Sequence, residues 1–297
     1  MHPAGEDPSE PVSGSDTIDY DRVADVYDLY VRSDLDIGFY LEEAAKARGG
    51  RVLELMCGTG RVSVPLLEAG VDLTCVDASM GMLARLEERL RARELEATVV
   101  QADVRYLDLG EGVFDLALVP FHSFSEIVSP NDRELALKAM FGCLSEGGRL
   151  ICPLHNPLVR AGSTDGALRI NGSFPTPEGG VLVVSGFETL DESTGVVDRL
   201  QFYEFFDASN ELRAKRALPM RFALIDREEF TELAEGAGFV PVALYGDYAR
   251  GEYSEESSPF MVWVLQKAKH PRSDSTIYYS PKCVEGVFSE VSLQDPA

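Results

Sequence analysis

Residues 51–61 read RVLELMCGTGR, a short apolar run closed by Gly58-Thr59-Gly60. The run has the length of a buried strand, and its glycines let the backbone turn sharply and approach a ligand closely. Val62–Ala69 follows with helical spacing and ends at Gly70. The same unit then repeats. Val71–Val76 is a second strand ending at Asp77, and Ser79 is the N-cap of a helix running to about Ala92. Ala97–Gln101, followed by Asp103, and Val113–Pro120 read as strands three and four. Asp132–Leu144 reads as a helix, and Gly147-Gly148 turns the chain into strand five, Arg149–Leu154. Strands separated by helices at this spacing predict a parallel, doubly wound sheet.

After Pro157 the pattern changes. Val181–Leu190, Val196–Asp207 and Glu211–Ala223 are long β-type runs separated by turn residues, which predicts an antiparallel insertion over 158–225. Helical spacing returns at Phe230–Ala237, and Val240–Tyr245 and Pro259–Gln266 are the last two strands. The predicted class is therefore α/β: a mostly parallel, seven-stranded, Rossmann-like sheet with an antiparallel insertion after strand five. Outside the main domain at 49–267, residues 1–17 read as a disordered leader and 18–48 as a helical lid. In the lid Val23, Tyr27 and Tyr30 approximate one helix face. In the tail, 268–297, Val284, Val287, Phe288 and Val291 keep helical spacing, as in a docked helix or an arm reaching a partner subunit.

The chain has 297 residues, is 45% hydrophobic and carries 27 Lys+Arg against 50 Asp+Glu, a net charge of −23. Such a surface repels the phosphates of nucleic acid and the headgroups of anionic membranes. No window approaches the length of a membrane span, and the polar N-terminus lacks a signal-peptide pattern. Five cysteines, an odd number with no CxxC pair, point to reduced thiols and a cytoplasmic location. Cys57, Cys75, Cys143 and Cys152 sit in apolar or Gly-bounded segments, as buried structural cysteines do. No Cys/His cluster supports a metal site.

Ligands of open parallel sheets bind beyond the carboxyl ends of the strands. Here those ends carry Gly58-Thr59-Gly60, Asp77, Asp103, His122 and His155. A carboxylate after strand two can accept ribose hydroxyls, and one after strand three can take an adenine amino group. The turn lacks the third glycine of a dinucleotide fingerprint, since position 63 is Ser, and no GxxxxGK[ST] occurs. Asp103 is superfluous for a simple NAD site.

The successive segments VLELMCGTGR, CVDASMGML, VVQADVRYLDL, FDLALVPFHSF and LSEGGRLICPLHNP resemble, in order and spacing, the motifs of class I S-adenosylmethionine-dependent methyltransferases. RFALIDREEFTELAEGAGFVPVALYGDY and SSPFMVWVLQK resemble the C-terminal half of the family's small-molecule branch, so the likeness runs over about 20–267. The resemblance implies an enzyme that takes S-adenosylmethionine and releases S-adenosylhomocysteine. It implies that Glu54, Gly58 and Gly60 hold the methionine part of the cofactor. Asp77 takes the ribose hydroxyls, Met82 or its neighbour flanks the adenine, Asp103 with the backbone of Val104 reads the adenine edge, and Met56 and Ala78 belong to the same cofactor-binding set. Met56 departs from the pattern, standing where the family usually has a glycine.

Methyl transfer is an in-line displacement that needs the acceptor held close and shielded from water. The position after strand four is where the resemblance places the acceptor, and this chain reads PFHSFSEI there, with His122 where Asn is common. A neutral imidazole suits accepting a proton, and His122 heads the catalytic candidates with Tyr27 and Glu126. Glu126 is four residues on and orients the ring if the segment is helical. Tyr20, Tyr30, His155, Phe202, Arg221 and Tyr245 complete a substrate pocket, Arg221 and Tyr245 by resemblance alone. An aromatic box suits a flat or cationic acceptor. The expected partner is a small molecule, with nitrogen the acceptor most often found in the resembling branch and oxygen or an aromatic carbon also open. The expected assembly is a homodimer. A cofactor-binding protein without turnover and an NAD-dependent oxidoreductase are the competing readings. Residues 1–50 hold 12 acids and 4 bases, and 226–260 hold 9 acids and 2 bases. If these stretches meet over the pocket, their field favours a cationic or neutral acceptor.

Overall fold

The computed structural model describes residues 17–47 and 49–268. The leader up to residue 16 and the tail from 269, with Cys283 and the Val284–Val291 spacing, lie outside the described residues.

A 3-10 turn at Tyr20–Arg22 and the short helix α1 (Tyr27–Tyr30) precede α2 (Ile37–Lys46). The predicted βα alternation follows: β1 (Val52–Leu55), α3 (Ser63–Glu68), β2 (Leu73–Asp77), α4 (Met80–Ala92) and β3 (Thr98–Gln101). Next come β4 (Phe114–Leu118), α5 (Pro130–Cys143), β5 (Leu144–His155) and α6 (Pro157–Ala161). The insertion is β6 (Arg169–Pro175), β7 (Val181–Asp191), β8 (Val196–Phe206) and β9 (Leu212–Ala223). It leads into α7 (Arg227–Gly236), β10 (Phe239–Tyr245) and β11 (Phe260–Lys267).

The seven-stranded sheet has the order β10-β11-β5-β4-β1-β2-β3, with β11 antiparallel to both neighbours. Both faces are covered. Leu53, Leu55, Phe114 and Ala117 share one core cluster with α5 and α7, while Val52, Leu116 and Leu118 share another with α2, α3 and α4. Strands buried on both faces read as continuous apolar runs, which is why VLELM and FDLALV signalled the sheet. Ser79 caps α4 as expected, its Oγ accepting from Met82 N at 3.0 Å. No helix among the described residues is long and apolar enough to cross a membrane.

Two local expectations fail. The N-terminal segment does not form one helix with Val23, Tyr27 and Tyr30 on a face. Non-helical residues separate a 3-10 turn from four-residue α1, because the segment's ties run outward rather than along itself. Asp21 accepts from Ser79 Oγ and Gly81 N, Asp28 from Thr59 Oγ1, and Asp25 from Arg216. The insertion also has a fourth strand. RINGSFP lacks apolar alternation because β6 is an exposed edge strand, bulged between Ile170 and Gly172.

One buried carboxylate joins distant parts of the main sheet. Glu43 on α2, only 2% exposed, accepts from Lys46 at 2.5 Å, Arg149 at 2.6 Å and Arg250 at 2.9 Å. Burial works against its charge, but the Lys46, Arg250 and Arg149 bonds outweigh it and hold its pKa below the usual range. Arg250 in turn fixes the loop after β10, which carries Tyr248. Glu43→Gln should therefore destabilise the fold by about 2 kcal/mol, read as a lowered denaturation midpoint at pH 7; an unchanged midpoint would mean that water serves the three cations equally well.

Candidate functional site

The carboxyl ends of β1, β2, β3, β4 and β5 open into one cavity of about 950 Å³, roofed by the N-terminal segment and walled by the insertion sheet. On one side lie Met56, Gly58, Asp77, Ala78, Met82, Asp103 and Val104. On the other lie His122, His155, Tyr248 and Phe260. Tyr20, Tyr27, Tyr30 and Glu126 border the space between roof and floor.

The glycine turn builds the first side. Gly58 has φ +58° and donates its N–H to Asp77 Oδ2 at 2.8 Å, and a Cβ placed there would meet nothing within 4 Å. The missing side chain leaves open room beside the carboxylate. Gly60 behaves differently: it does not border the cavity, and its Cβ would strike Leu86 of α4 at 2.3 Å. Its absent side chain lets turn and helix pack. Met56 has φ +55°, the left-handed backbone that glycine adopts freely and other residues at a cost of about 1–2 kcal/mol. That explains why a glycine is usual there and marks the turn as strained in this chain.

Glu54 is the unusual residue of β1. It is a carboxyl 1% exposed inside a central strand, and its Oε2 has no hydrogen-bond partner. Burial is the main reason its pKa rises to about 8. It borders a small recess that also touches Tyr27, Met56 and Gly58. A buried carboxyl with one unpartnered oxygen beside an open glycine suits a cationic group, so these residues fit the cofactor expected from the sequence. Asp77 accepts from Ser79 N at 2.9 Å as well as from Gly58, and burial raises its pKa despite both bonds. Asp103 is already engaged: Arg105 holds both its oxygens and lowers its pKa, while Arg105 also reaches Asp132 at 2.5 Å.

His122 reaches the cavity through a strained turn. Phe121 and His122 have φ +59° and +63° in succession, so the chain reverses between them. Phe121 lies beneath the Arg61 guanidinium, 4.8 Å from its ring centroid, and borders the cavity at its exposed rim, while His122 turns inward at 8% exposure. Adjacent aromatic residues in this region are rare and cluster at functional sites. The imidazole packs against His155, centroids 4.1 Å apart, and against Phe260 at 4.6 Å, with Tyr248 Oη 3.5 Å from Nε2. Burial first, then the His155 and Arg61 charges, push its pKa well below 6.5; burial and Arg160 bring His155 to about 4. Both rings are therefore neutral at pH 7.

Several expected positions shift. Glu126 does not orient His122, because the left-handed residues break the helical path; instead it accepts from Tyr20 Oη at 2.9 Å. Burial raises its pKa to about 8. Tyr20, Tyr27 and Tyr30 form an edge-to-face series with centroids 6.0 and 5.4 Å apart, and Tyr30 Oη meets Tyr203 Oη at 2.9 Å. Phe202 is not a pocket residue. Strand alternation puts Gln201 and Tyr203 on the inner face and Phe202 on the outer, where Lys215 lies over its ring at 4.7 Å. Arg221 is also on the outer face, bonded to Asp198 at 3.1 Å. Tyr245 packs against Phe39 and does not border the cavity; Tyr248, three residues on, does. Nor do the acidic stretches converge on the cavity. They meet through Arg250 with Glu42 and Glu43, and the 226–260 stretch contributes only Tyr248 and Phe260 to the lining.

Residues 52–148 match the family described as a methyltransferase domain. A glycine/sarcosine N-methyltransferase of Halorhodospira halochloris is 29% identical over 248 residues, covering 83% of this chain and 86% of that protein. The methyltransferase CcbJ of Streptomyces caelestis has a similar structure, with TM-score 0.71 and 23% identity over 86% of this chain and all of that one. CalS10, an amino pentose methyltransferase of Micromonospora echinaspora solved with S-adenosylmethionine bound, aligns with TM-score 0.62 and 19% identity over 82% of this chain and 95% of that one. At such identities the two structures speak for the fold. With the domain match from β1 to the start of β5, the homologous sequences and a cavity suited to the cofactor, residues 52–148 are a methyltransferase domain of the S-adenosylmethionine-dependent type.

Proposed function

We propose that the enzyme methylates a nitrogen of a small-molecule acceptor, with Glu54, Gly58, Asp77, Ala78, Met82, Asp103 and Val104 forming the cofactor side and His122 serving as base. The observation that carries this reading is the division of one cavity between Asp77 and Asp103 at the ends of β2 and β3 and a neutral imidazole packed against His155 and Phe260. The nitrogen acceptor is also supported by the named activity of the Halorhodospira relative.

When bound, S-adenosylmethionine supplies a sulfonium methyl, whose S–C electron pair returns to sulfur as the acceptor lone pair forms the new bond. The protein's own work is to bind, to orient and to exclude water. Tyr20, Tyr27 and Tyr30 roof the cavity and keep it dry. Asp77 supplies a carboxylate to a cationic ligand, and Glu54, held protonated by burial, can ionise beside that charge. An amine arriving as ammonium must lose a proton before its lone pair can attack. The lowered pKa of His122 keeps its imidazole unprotonated at neutral pH and makes it a weak base, so a proton it takes from the acceptor is passed on rather than held. The His155 and Phe260 rings hold the imidazole plane, and Tyr248 Oη faces Nε2.

His122→Ala should lower kcat by roughly 10²–10⁴-fold while cofactor affinity, measured by calorimetry, stays constant; an unchanged kcat removes His122 from the chemistry. Asp77→Ala should weaken S-adenosylmethionine binding about 10-fold or more, as expected for lost hydrogen bonds to a charged group. NAD should give no heat with the wild type, and binding of NAD alone would contradict the cofactor assignment. A third outcome concerns pH. The folded pKa of Glu126 is about 8 against 4.5 for a free side chain. The stability it contributes is full below about pH 4.5 and is lost as pH rises through 8. Glu126→Gln should thus gain stability relative to wild type between pH 5 and pH 8.5; a constant difference across that window would refute the buried, protonated state.

A further inference from the structure

The cavity is electrically divided. On its cofactor side and roof Asp19, Asp21, Asp36, Asp77 and Asp103 outweigh Arg32 and Arg105, while in the wall formed by α6 and the insertion sheet Arg160, Arg169 and Arg199 outweigh Glu188. The acceptor side is therefore not the negative field that the total charge suggests.

One carboxylate stands in that wall. Glu188 on β7 takes Arg160 at 2.5 Å and Arg199 at 2.9 Å, so two guanidiniums share a single negative charge. Arg169 is neutralised separately by Asp165 at 2.7 Å. The remaining partners of the pair are neutral. Arg160 also donates to Ser163 Oγ, and Arg199 to Gln201 Oε1 and, in the amide orientation its neighbours require, to Asn171. The buried Nε–H of Arg199 meets no acceptor. The Arg160–Glu188–Arg199 group thus keeps one uncompensated positive charge. Both arginine side chains are about four-fifths buried, at 17% and 20% exposure, so water screens that charge poorly. The field reaches the chemistry, since Arg160 lowers the pKa of both His155 and His122.

Guanidinium forks match planar oxyanions, and a fixed excess charge in a cavity wall selects a ligand of the opposite sign. Resting on the acceptor site proposed above, we infer that the acceptor carries an oxyanion, a carboxylate in the first instance, which Arg199 and Arg160 hold while its amine is presented to His122. The acceptor is then an amino acid or a similar amino-carboxylate. The acidic side meets the cationic cofactor and the basic wall meets the acceptor's anion, so the division orients both ligands.

The test is a binding titration on the full-length protein saturated with S-adenosylhomocysteine. The probes are glycine, β-alanine and 4-aminobutyrate, their carboxamides, and aminomethylphosphonate. The carboxylates should bind about 10- to 100-fold more tightly than the matched amides, the range for a charge-assisted hydrogen bond. Arg199→Met and Arg160→Met should each close that gap without changing S-adenosylhomocysteine affinity, and Arg199→Lys should restore part of it. Tighter binding of the phosphonate would give the same oxyanion contact to a phosphate-bearing amine. Equal binding of acids and amides, a preference that survives in both methionine variants, or no binding by any anion would overturn the inference. Failure of S-adenosylhomocysteine itself to bind would instead contradict the underlying cofactor assignment.

Discussion

Arg61, the last residue of the glycine turn, joins the three parts that make the site. Its guanidinium grips Asp36 through two bonds of 2.5 and 2.7 Å and the Ser33 carbonyl at 2.8 Å, fixing the end of the roof segment. The same group lies over the ring of Phe121 at the cavity's rim. Asp36 is 2% exposed, so this pair is shielded from competing water and salt. Loss of either partner would leave a buried charge alone. The roof would detach from the glycine turn, and the strained reversal that presents His122 would lose its cover.

Strain and burial are concentrated where the chemistry is proposed. Met56, Phe121 and His122 hold left-handed backbone without being glycine. Glu54, His122 and Glu126 are buried ionisable groups whose pKa values move toward the neutral form. An isolated folding problem would favour none of these features. They make sense together if the cavity is preorganised for a cationic ligand and a proton transfer, with the surrounding sheet and Glu43 cluster supplying the stability that offsets them.

The sequence made the sheet and the strand-end positions legible because both depend on local pattern. A buried parallel strand must be apolar, and whatever follows it must face the ligand, so Gly58, Asp77, Asp103, His122 and His155 could be named before any pairing was known. The acceptor wall depends on register between segments far apart. Alternation in the sequence separated Phe202 from Tyr203 but could not say which faced inward, and a one-residue choice of face exchanges Phe202 for Gln201 and Arg221 for Met220. The edge strand β6 left no apolar signal. The left-handed turn at Phe121–His122 carried no glycine to announce it, and so the helical link from His122 to Glu126 was drawn where none exists. Net charge misled for a related reason: −23 is a sum, and the cavity sees only the residues that the fold turns toward it.

The central claim is that the two halves of this one cavity serve cofactor and acceptor. A crystal structure with S-adenosylhomocysteine tests it most directly. The account predicts density among Glu54, Gly58, Asp77 and Asp103, with the sulfur facing His122 and the arginine wall open beyond it. Density elsewhere in the molecule, or a sulfur turned away from His122, would contradict it.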